Sequence, residues 1–148
     1  MVDQPQTRIT PYLLYEDVAG ALDFLAQAFG LRERLRFADD EGTVNHAEME
    51  FMGESVFMGD PGPDFESPKR AGRLGAQVHV YVDDVEAHFQ QAKAAGATIL
   101  REPEDQEYGD RRYDAEDPEG NRWSFAQRIR ELTPQEWGAQ TPESSTST

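Results

Sequence analysis

The chain has 148 residues, and 29 Asp and Glu against 14 Lys and Arg give it a formal net charge of −15 at pH 7. This charge disfavours nucleic-acid binding, which depends on cations that neutralise phosphates, and the absence of cysteine excludes disulfides, thiolate metal sites and a cysteine nucleophile. No apolar run approaches the roughly 18 residues of a membrane span, and the N-terminal residues lack the basic-then-apolar pattern of a signal peptide. The sequence therefore predicts a cytoplasmic protein with no membrane partner.

The first half of the chain predicts a strand, a helix and three more strands. Residues 1–8 are polar and are expected to be frayed, and an apolar strand follows at 9–15. Asp17 can cap a helix that runs to about Phe29, and Gly30 is typical of a helix stop. The remaining strands of this half are predicted at 31–38, 43–51 and 55–58, joined by turns at 39–42 and at Gly53.

A loop predicted at 60–74, rich in proline and glycine and without regular structure, leads into a second half with the same plan. Its predicted elements are a strand at 77–82, a helix capped by Asp84 that runs to about Ala95, strands at 98–101, 111–116 and 121–127, and a loop at 102–110. Residues 131–148 form a tail that is predicted to be mostly disordered, above all in its last ten residues. One capped helical turn at 133–137 is expected to pack Trp137 on the body.

The two halves repeat one pattern, because Thr10 opens the first copy and Gln77 opens the second, 67 residues later. Three motifs stand out in order: Leu14-Tyr-Glu-Asp-Val18, His79-Val-Tyr-Val-Asp-Asp-Val85 and Asp117-Pro-Glu-Gly-Asn-Arg-Trp123. With these motifs, residues 8–130 resemble the glyoxalase/bleomycin-resistance/extradiol-dioxygenase family, the vicinal oxygen chelate superfamily. The resemblance implies an α+β fold of two pseudo-symmetric βαβββ modules, at 9–59 and 75–130, whose sheets curl around a cleft. It also implies a homodimer.

Enzymes of this family hold a divalent metal on His and Glu side chains at four positions. The resemblance places these positions at Thr10, Phe57, Gln77 and Ser124. None of the four is His, Asp or Glu, and a hydroxyl, an amide and a phenyl ring are not the ligands that transition metals take from proteins. We therefore predict a protein without a metal or other cofactor.

Strand alternation predicts which side chains face the cleft. Gln77, His79 and Tyr81 share one face of their strand, and the valines between them share the other. His79 would then either hydrogen-bond a ligand or be satisfied by a neighbouring hydroxyl. Pseudo-symmetry places Tyr12 at the matching position of the first half, and Phe57 adds a second aromatic side chain there.

Two polar groups leave alternatives open. His46, Glu48 and Glu50 form a row on one strand face, which is either a site for metal, acid–base or cation binding or the solvated side of an antiparallel strand. Arg112, beside Tyr108 and next to Arg111, either contacts a ligand or belongs to a solvated charge pair. Trp123 and Phe125 are predicted to be core, and His88 is predicted to be exposed. The candidate ligand-binding residues are Tyr12, His46, Glu48, Phe57, Gln77, His79, Tyr81, Tyr108, Arg112 and Ser124.

The resulting hypothesis is a metal-independent small-molecule-binding protein that resembles the drug-sequestering, bleomycin-resistance branch of the family and would confer antibiotic resistance. The acidic composition and the aromatic candidates favour an aromatic or cationic ligand, although the charge by itself is more typical of a protein kept in solution by its acids. An alternative is a glyoxalase-like lyase or isomerase with an off-pattern His and Glu site. A third is an interaction module whose cleft is filled by side chains.

Overall fold

The computed structural model describes residues 2–5 and 7–142, which form two modules of the same design. The first module contains β1 (Tyr12–Leu14), α1 (Val18–Phe24), β2 (Arg32–Ala38), β3 (Val44–Phe51) and β4 (Glu54–Gly59). A short helix, α2 (Pro68–Ala71), precedes the second module, which contains β5 (Gln77–Tyr81), α3 (Val85–Ala94), β6 (Thr98–Asp105), β7 (Asp110–Glu116) and β8 (Arg122–Arg128). The predicted α+β fold with a repeated βαβββ plan is confirmed.

Each module has its own four-stranded sheet, and the two sheets have the same topology. The strand orders are β1-β4-β3-β2 and β5-β8-β7-β6, with β1 parallel to β4, β5 parallel to β8 and the other pairs antiparallel. The register repeats as well, since Tyr12 lies opposite Phe57 and His79 lies opposite Ser124. The sequence repeat is thus a repeat of hydrogen-bond register.

The core lies on one face of each sheet, where the helices pack. In β3, Ala47 and Met49 are fully buried in the same cluster as α1, while His46, Glu48 and Glu50 occupy the opposite face. This alternation is what the sequence predicted for a strand with one covered side. It leaves a polar and aromatic face on the other side of the sheet.

The first helix changes its winding before it ends. After α1 the chain continues as a π-helical turn, Leu25–Phe29, and stops at Gly30, whose φ of +80° lies in the left-handed region that glycine adopts most readily. The predicted extent of this helix is correct, but its wide last turn was not predicted. The turn brings the Phe29 ring against the second module, 4.7 Å from the ring of Phe125.

The turn before β8 joins the two modules. Asp117 accepts a hydrogen bond from the Tyr15 hydroxyl at 2.6 Å, and the Glu119 carboxylate accepts from two backbone N–H groups at the start of α1, at 2.7 and 2.8 Å. Gly120 has a φ of +87°, and a Cβ there would lie 2.8 Å from the Lys69 nitrogen. The motif that supported the family resemblance therefore docks one module on the other.

His88 contradicts the prediction that it is exposed, because it is half-buried between the modules. Its Nε2–H donates to the Phe29 carbonyl at 2.8 Å, so its Nδ1 accepts from the Tyr113 hydroxyl at 2.6 Å. The helix periodicity of α3 describes only the face that covers its own sheet. The π-helical turn of the first module covers a second face, which the local pattern does not reveal.

This burial predicts a pH dependence of stability. Burial lowers the pKa of His88 below its ordinary value of 6.5. The unfolded chain therefore takes up a proton near pH 6.5, and the folded chain takes it up only at lower pH. His88 thus contributes stability above pH 6.5 that is lost as the pH falls towards its folded pKa. Urea unfolding between pH 7.5 and 5 should show that the free energy of unfolding falls more steeply with pH in the parent protein than in His88→Gln. Equal slopes in the two proteins would contradict this account.

Other local predictions need correction. The predicted loop at 60–74 contains α2, which Ser67 caps by accepting from the Arg70 N–H at 3.4 Å. Strand β6 extends to Asp105 instead of ending at residue 101, because it continues to pair with β7 through two register irregularities up to Asp105 and Arg111. Strand β1 is shorter than predicted and keeps only the three residues that pair with β4.

Beyond β8 the chain forms a 3₁₀ turn, Pro134–Trp137, capped by Thr133 as predicted. The Trp137 ring lies 5.8 Å from that of Tyr108 and remains 40% exposed. The predicted disorder of the last ten residues falls partly on 143–148, outside the described residues. Within the described part of the chain, no helix is long and apolar enough to cross a membrane.

Candidate functional site

The side of each sheet that carries neither α1 nor α3 is called its helix-free face. The first consists of Tyr12, Leu35, Phe37, His46, Glu48, Glu50 and Phe57. The second consists of Gln77, His79, Tyr81, Asp110, Arg112, Asp114, Ser124 and Arg128. Nine of the ten predicted ligand-binding residues lie on these faces, and the tenth, Tyr108, contacts Arg112.

A chain of hydrogen bonds crosses the first helix-free face. The Tyr12 hydroxyl lies 2.8 Å from His46 Nδ1, and His46 Nε2 lies 3.1 Å from Glu48 Oε2. Because a carboxylate only accepts, Nε2 carries the proton and Nδ1 of the neutral ring accepts from the tyrosine. Glu48 thereby fixes the tautomer and the orientation of His46.

Aromatic rings surround this chain. The Tyr12, His46 and Phe57 rings lie within 5.7–5.9 Å of each other, with Tyr12 and Phe57 edge to face. Phe37 lies next to His46 across the strands and is 61% exposed. An exposed aromatic cluster beside a carboxylate offers a surface for a flat or cationic molecule.

The carboxylates of this face already have cationic neighbours. Arg32 pairs with Glu50, and Arg34 lies 3.8 Å from Glu48 while donating to the Ser55 hydroxyl at 2.7 Å. These pairs are partly exposed, and exposed ion pairs contribute little stability, so another cation can replace the arginine. The predicted acidic row is therefore neutralised from within the chain.

The second helix-free face has a different chemistry at the matching register. His79 Nδ1 lies 2.9 Å from the Ser124 hydroxyl, and no hydrogen-bond partner of its Nε2 is present among residues 2–5 and 7–142. Burial, and to a lesser extent the charge of Arg112, lower the pKa of His79. At pH 7 it is a neutral ring that both contacts a hydroxyl and leaves one nitrogen for a ligand.

Asp110 is the residue of this face that sequence reasoning missed. Its carboxylate is 1% exposed, and its Oδ2 accepts from the Tyr81 hydroxyl at 2.7 Å. Arg128, also missed, lies across the strands with its Nε 3.7 Å from Asp110 Oδ1 and its guanidinium 5.4 Å from the centre of the Tyr81 ring. Alternation along β7 and β8 would have placed both on the face of Arg112 and Ser124.

The two adjacent arginines of β7 separate. Arg111 pairs with Asp105 at 2.6 Å on the helix side of the sheet edge. Arg112 lies on the helix-free face, where it donates to Asp114 at 3.0 Å and to the Tyr108 hydroxyl at 3.3 Å. Only Arg112 can reach a molecule bound on that face.

One chain does not bring the two faces together. In the described residues no hydrogen bond or ion pair joins the first helix-free face to the second, because each belongs to a separate sheet. A cavity of about 870 Å³ lies instead at the starts of β1 and β5, beneath the segment 60–74 that joins the two modules. Of the predicted binding residues, only Tyr12 and Gln77 line it.

The four positions that the resemblance assigns to metal ligands do not fit a metal ion. Phe57 packs its ring edge to face with Tyr12, and the Ser124 hydroxyl is bound by His79. Thr10 and Gln77 supply a hydroxyl and an amide, which transition metals rarely take as ligands. Within residues 2–5 and 7–142, no three His, Cys, Asp or Glu side chains form a group that could hold a metal ion.

Comparisons with known proteins agree with this architecture. A family model described as the Glyoxalase/Bleomycin resistance protein/Dioxygenase superfamily matches residues 7–125. An uncharacterized protein of Mycobacterium tuberculosis H37Rv is 36% identical over 129 residues, which cover 84% of this chain and 76% of that protein.

Two solved structures are similar as well. TioX from Micromonospora sp. ML1 superposes with a TM-score of 0.69 at 33% identity, covering 83% of this chain and 99% of TioX. TnmS3, an antibiotic binding protein from Streptomyces sp. CB03234, has a TM-score of 0.62 at 19% identity and covers 86% of this chain and 97% of its own. The likeness to TnmS3 concerns the fold alone.

Proposed function

Because the chain belongs to the glyoxalase/bleomycin resistance protein/dioxygenase superfamily, we propose that it is a metal-independent protein that binds a small aromatic or cationic molecule, as the bleomycin-resistance branch does. The family hosts several chemistries, so this chain's own side chains decide which of them it supports. Its predicted role is to sequester a ligand without altering it.

The observation that carries this proposal is the first helix-free face. There, the rings of Tyr12, Phe37 and Phe57 are partly exposed around His46, and Glu48 lies beside them. At a position where enzymes of the family would have a metal ligand, this chain has the phenyl ring of Phe57. A stacking surface with a carboxylate in place of a metal favours binding of a flat cation over Lewis-acid chemistry.

Three further points support the proposal. The net charge of −15 attracts cations to the protein at low ionic strength. TnmS3, whose fold this chain shares, is itself an antibiotic binding protein. The ion pairs of Glu48 and Glu50 with arginines are exposed enough for a ligand cation to replace those arginines.

We expect ethidium, a planar aromatic cation, to bind the metal-stripped protein, and substitutions in the first helix-free face to weaken that binding. Glu48→Gln should raise the Kd about fivefold, because it removes an attractive charge and leaves Arg34 to repel the ligand. Phe57→Ala should raise it about tenfold through lost stacking. Fluorescence titration at low and high salt measures both effects.

Glu41→Gln is the matched control, since it removes one carboxylate from the exposed β2–β3 hairpin and should leave the Kd unchanged. Equal affinity in all variants would place binding elsewhere. Binding of ethidium to the protein as purified but not to the metal-stripped protein would refute metal independence.

We further propose that the protein acts as a homodimer. The helix-free faces carry exposed apolar side chains, Tyr12, Leu35 and Phe37 among them, and β2 and β6 are edge strands. Exposed edges and apolar patches are covered in most native proteins. Covering the first face with the second face of a partner copy would also enclose a ligand on both sides.

The hydrogen-bond chain from Tyr12 through His46 to Glu48 favours one second candidate, a lyase or isomerase in which His46 acts as a base. In that case ligand recovered from the protein would be chemically changed. The change would stop in His46→Gln, whereas binding by itself would return the ligand intact.

A further inference from the structure

The second helix-free face contains a carboxylate oxygen that lacks a hydrogen-bond donor. Asp110 is 1% exposed, and its Oδ1 has no hydrogen-bond partner in the described part of the chain. Its other oxygen is satisfied by Tyr81, whose pKa is raised chiefly by this hydrogen bond, so the phenol stays protonated and continues to donate. A buried acceptor without a donor is costly, and each such group in a folded protein calls for a physical explanation.

Arg128 occupies the space next to this oxygen without satisfying it. Its Nε lies 3.7 Å from Asp110 Oδ1, beyond hydrogen-bond distance, and its guanidinium lies 5.4 Å from the centre of the Tyr81 ring. The Arg128 side chain is 59% exposed, whereas that of Asp110 is 1% exposed. A largely exposed cation therefore lies over a buried carboxylate and a partly exposed aromatic ring, and its Nη2 donates to the Tyr81 hydroxyl at 3.4 Å.

A carboxylate beside an aromatic face is the chemistry that recognises an organic cation. We propose that Asp110 and Tyr81 form a binding subsite for a protonated amine and that Arg128 occupies this subsite until the ligand's ammonium group displaces it. This inference rests on the proposed function and names the ligand class more closely. The ligand carries at least one N–H on its cationic nitrogen, because Oδ1 lacks a donor and a quaternary ammonium cannot supply one.

The surroundings of the subsite suit a molecule with an aromatic body. The His79 ring lies edge to face with Tyr81 at 5.2 Å. Arg112, a second cation of this face, is held by Asp114 and Tyr108, so it does not compete for Asp110. Arg128 is thus the one residue whose removal should open the subsite.

The test uses 2-phenylethylamine, its trimethylammonium analogue and 2-phenylethanol as probes, with backbone amide shifts of β7 and β8 as the readout. The parent protein should bind the primary amine about tenfold more tightly than the quaternary analogue and should bind the alcohol more weakly still. Arg128→Ala should tighten amine binding about fivefold, because the ligand no longer has to replace a cation over the Tyr81 ring.

Asp110→Asn keeps the shape of the side chain and should weaken amine binding at least tenfold while abolishing the preference for the primary amine. Arg111→Ala is the matched control, since it removes an ion-paired arginine from the other face of β7. It should leave the Kd of the primary amine and that of the quaternary analogue unchanged. An Arg128→Ala protein that binds the amine no better than the parent, or a parent that binds both cations equally, would overturn the proposal.

The two proposals fail in different ways. Ethidium binding that depends on Glu48, together with no shift in β7 and β8 on adding the amine, would refute the amine subsite and leave the proposed function intact. If neither ethidium nor the amine binds, both proposals are wrong. Arg128→Ala, a surface substitution, remains informative even if Asp110→Asn does not fold.

Discussion

Replacing Asp117 with alanine is expected to lower the free energy of unfolding by about 4 kcal/mol, measured by urea denaturation. This carboxylate is 4% exposed and accepts four hydrogen bonds. The donors are the Tyr15 hydroxyl at 2.6 Å, the Trp123 indole at 3.2 Å and two backbone N–H groups of its own turn. Alanine would leave all four donors without this acceptor, two of them in the core and two in a part-buried turn, and the tyrosine belongs to the other module.

The loss of unfolding free energy should be smaller when the new side chain at position 117 keeps more acceptor atoms. Burial raises the pKa of Asp117, because it disfavours the charged carboxylate. The hydrogen bonds from its four donors act in the opposite direction and hold the carboxylate in the core. Asp117→Asn keeps one acceptor oxygen and should cost about 2 kcal/mol. Asp40→Ala, in the exposed β2–β3 hairpin, should cost less than about 0.5 kcal/mol. A loss below about 1 kcal/mol in Asp117→Ala would mean that this turn does not hold the modules together.

Phe29→Ala is expected to cost a similar amount, about 4 kcal/mol, through a cavity at the centre of the molecule. The ring is fully buried and lies 4.7 Å from that of Phe125, 5.3 Å from that of Trp123 and 5.2 Å from that of Phe24. It is the main apolar contact that the π-helical turn offers to the second module. Its loss should also loosen His88, which donates to the Phe29 carbonyl.

Phe37→Ala provides the matched control, because the same side chain is removed where it is 61% exposed. This variant should change stability by less than about 0.5 kcal/mol, yet it alters the first helix-free face and should weaken ethidium binding. Phe29→Ala should show the opposite result, with lower stability and a Kd unchanged in the fraction that is folded. Similar unfolding midpoints in the two variants would contradict the described packing.

Features set by neighbouring residues could be predicted from the sequence. The helix starts at Asp17 and Asp84, the stop at Gly30 and the alternation of β3 depend on residues within a few positions of each other. The repeat of 67 residues then implied the shared register of Tyr12 and His79. The lack of metal ligands at four positions could be judged from residue types alone.

Predictions failed where a distant segment decides the environment. The exposure of His88 was mispredicted because Phe29, 59 positions away, covers it. The end of β6 was mispredicted for a more local reason, since its residues up to Asp105 continue to pair with β7 as far as Arg111. The candidate site residues show the same difference between what neighbouring residues reveal and what tertiary contacts decide. Tyr12 could be proposed from pseudo-symmetry and His46 and Glu48 from strand parity, but their hydrogen-bond chain was not foreseen.

By itself, then, the sequence determined the two modules, their helix-free faces and the residue types at the four positions that the resemblance assigns to metal ligands, because periodicity, capping and residue type act over short distances. Only the tertiary structure decided that Asp117 docks on Tyr15 and that Asp110 is buried beside Tyr81 with Arg128 over the ring. These contacts join residues 102, 29 and 47 positions apart. Such pairs depend on how strands and modules pack, and no local pattern encodes that packing.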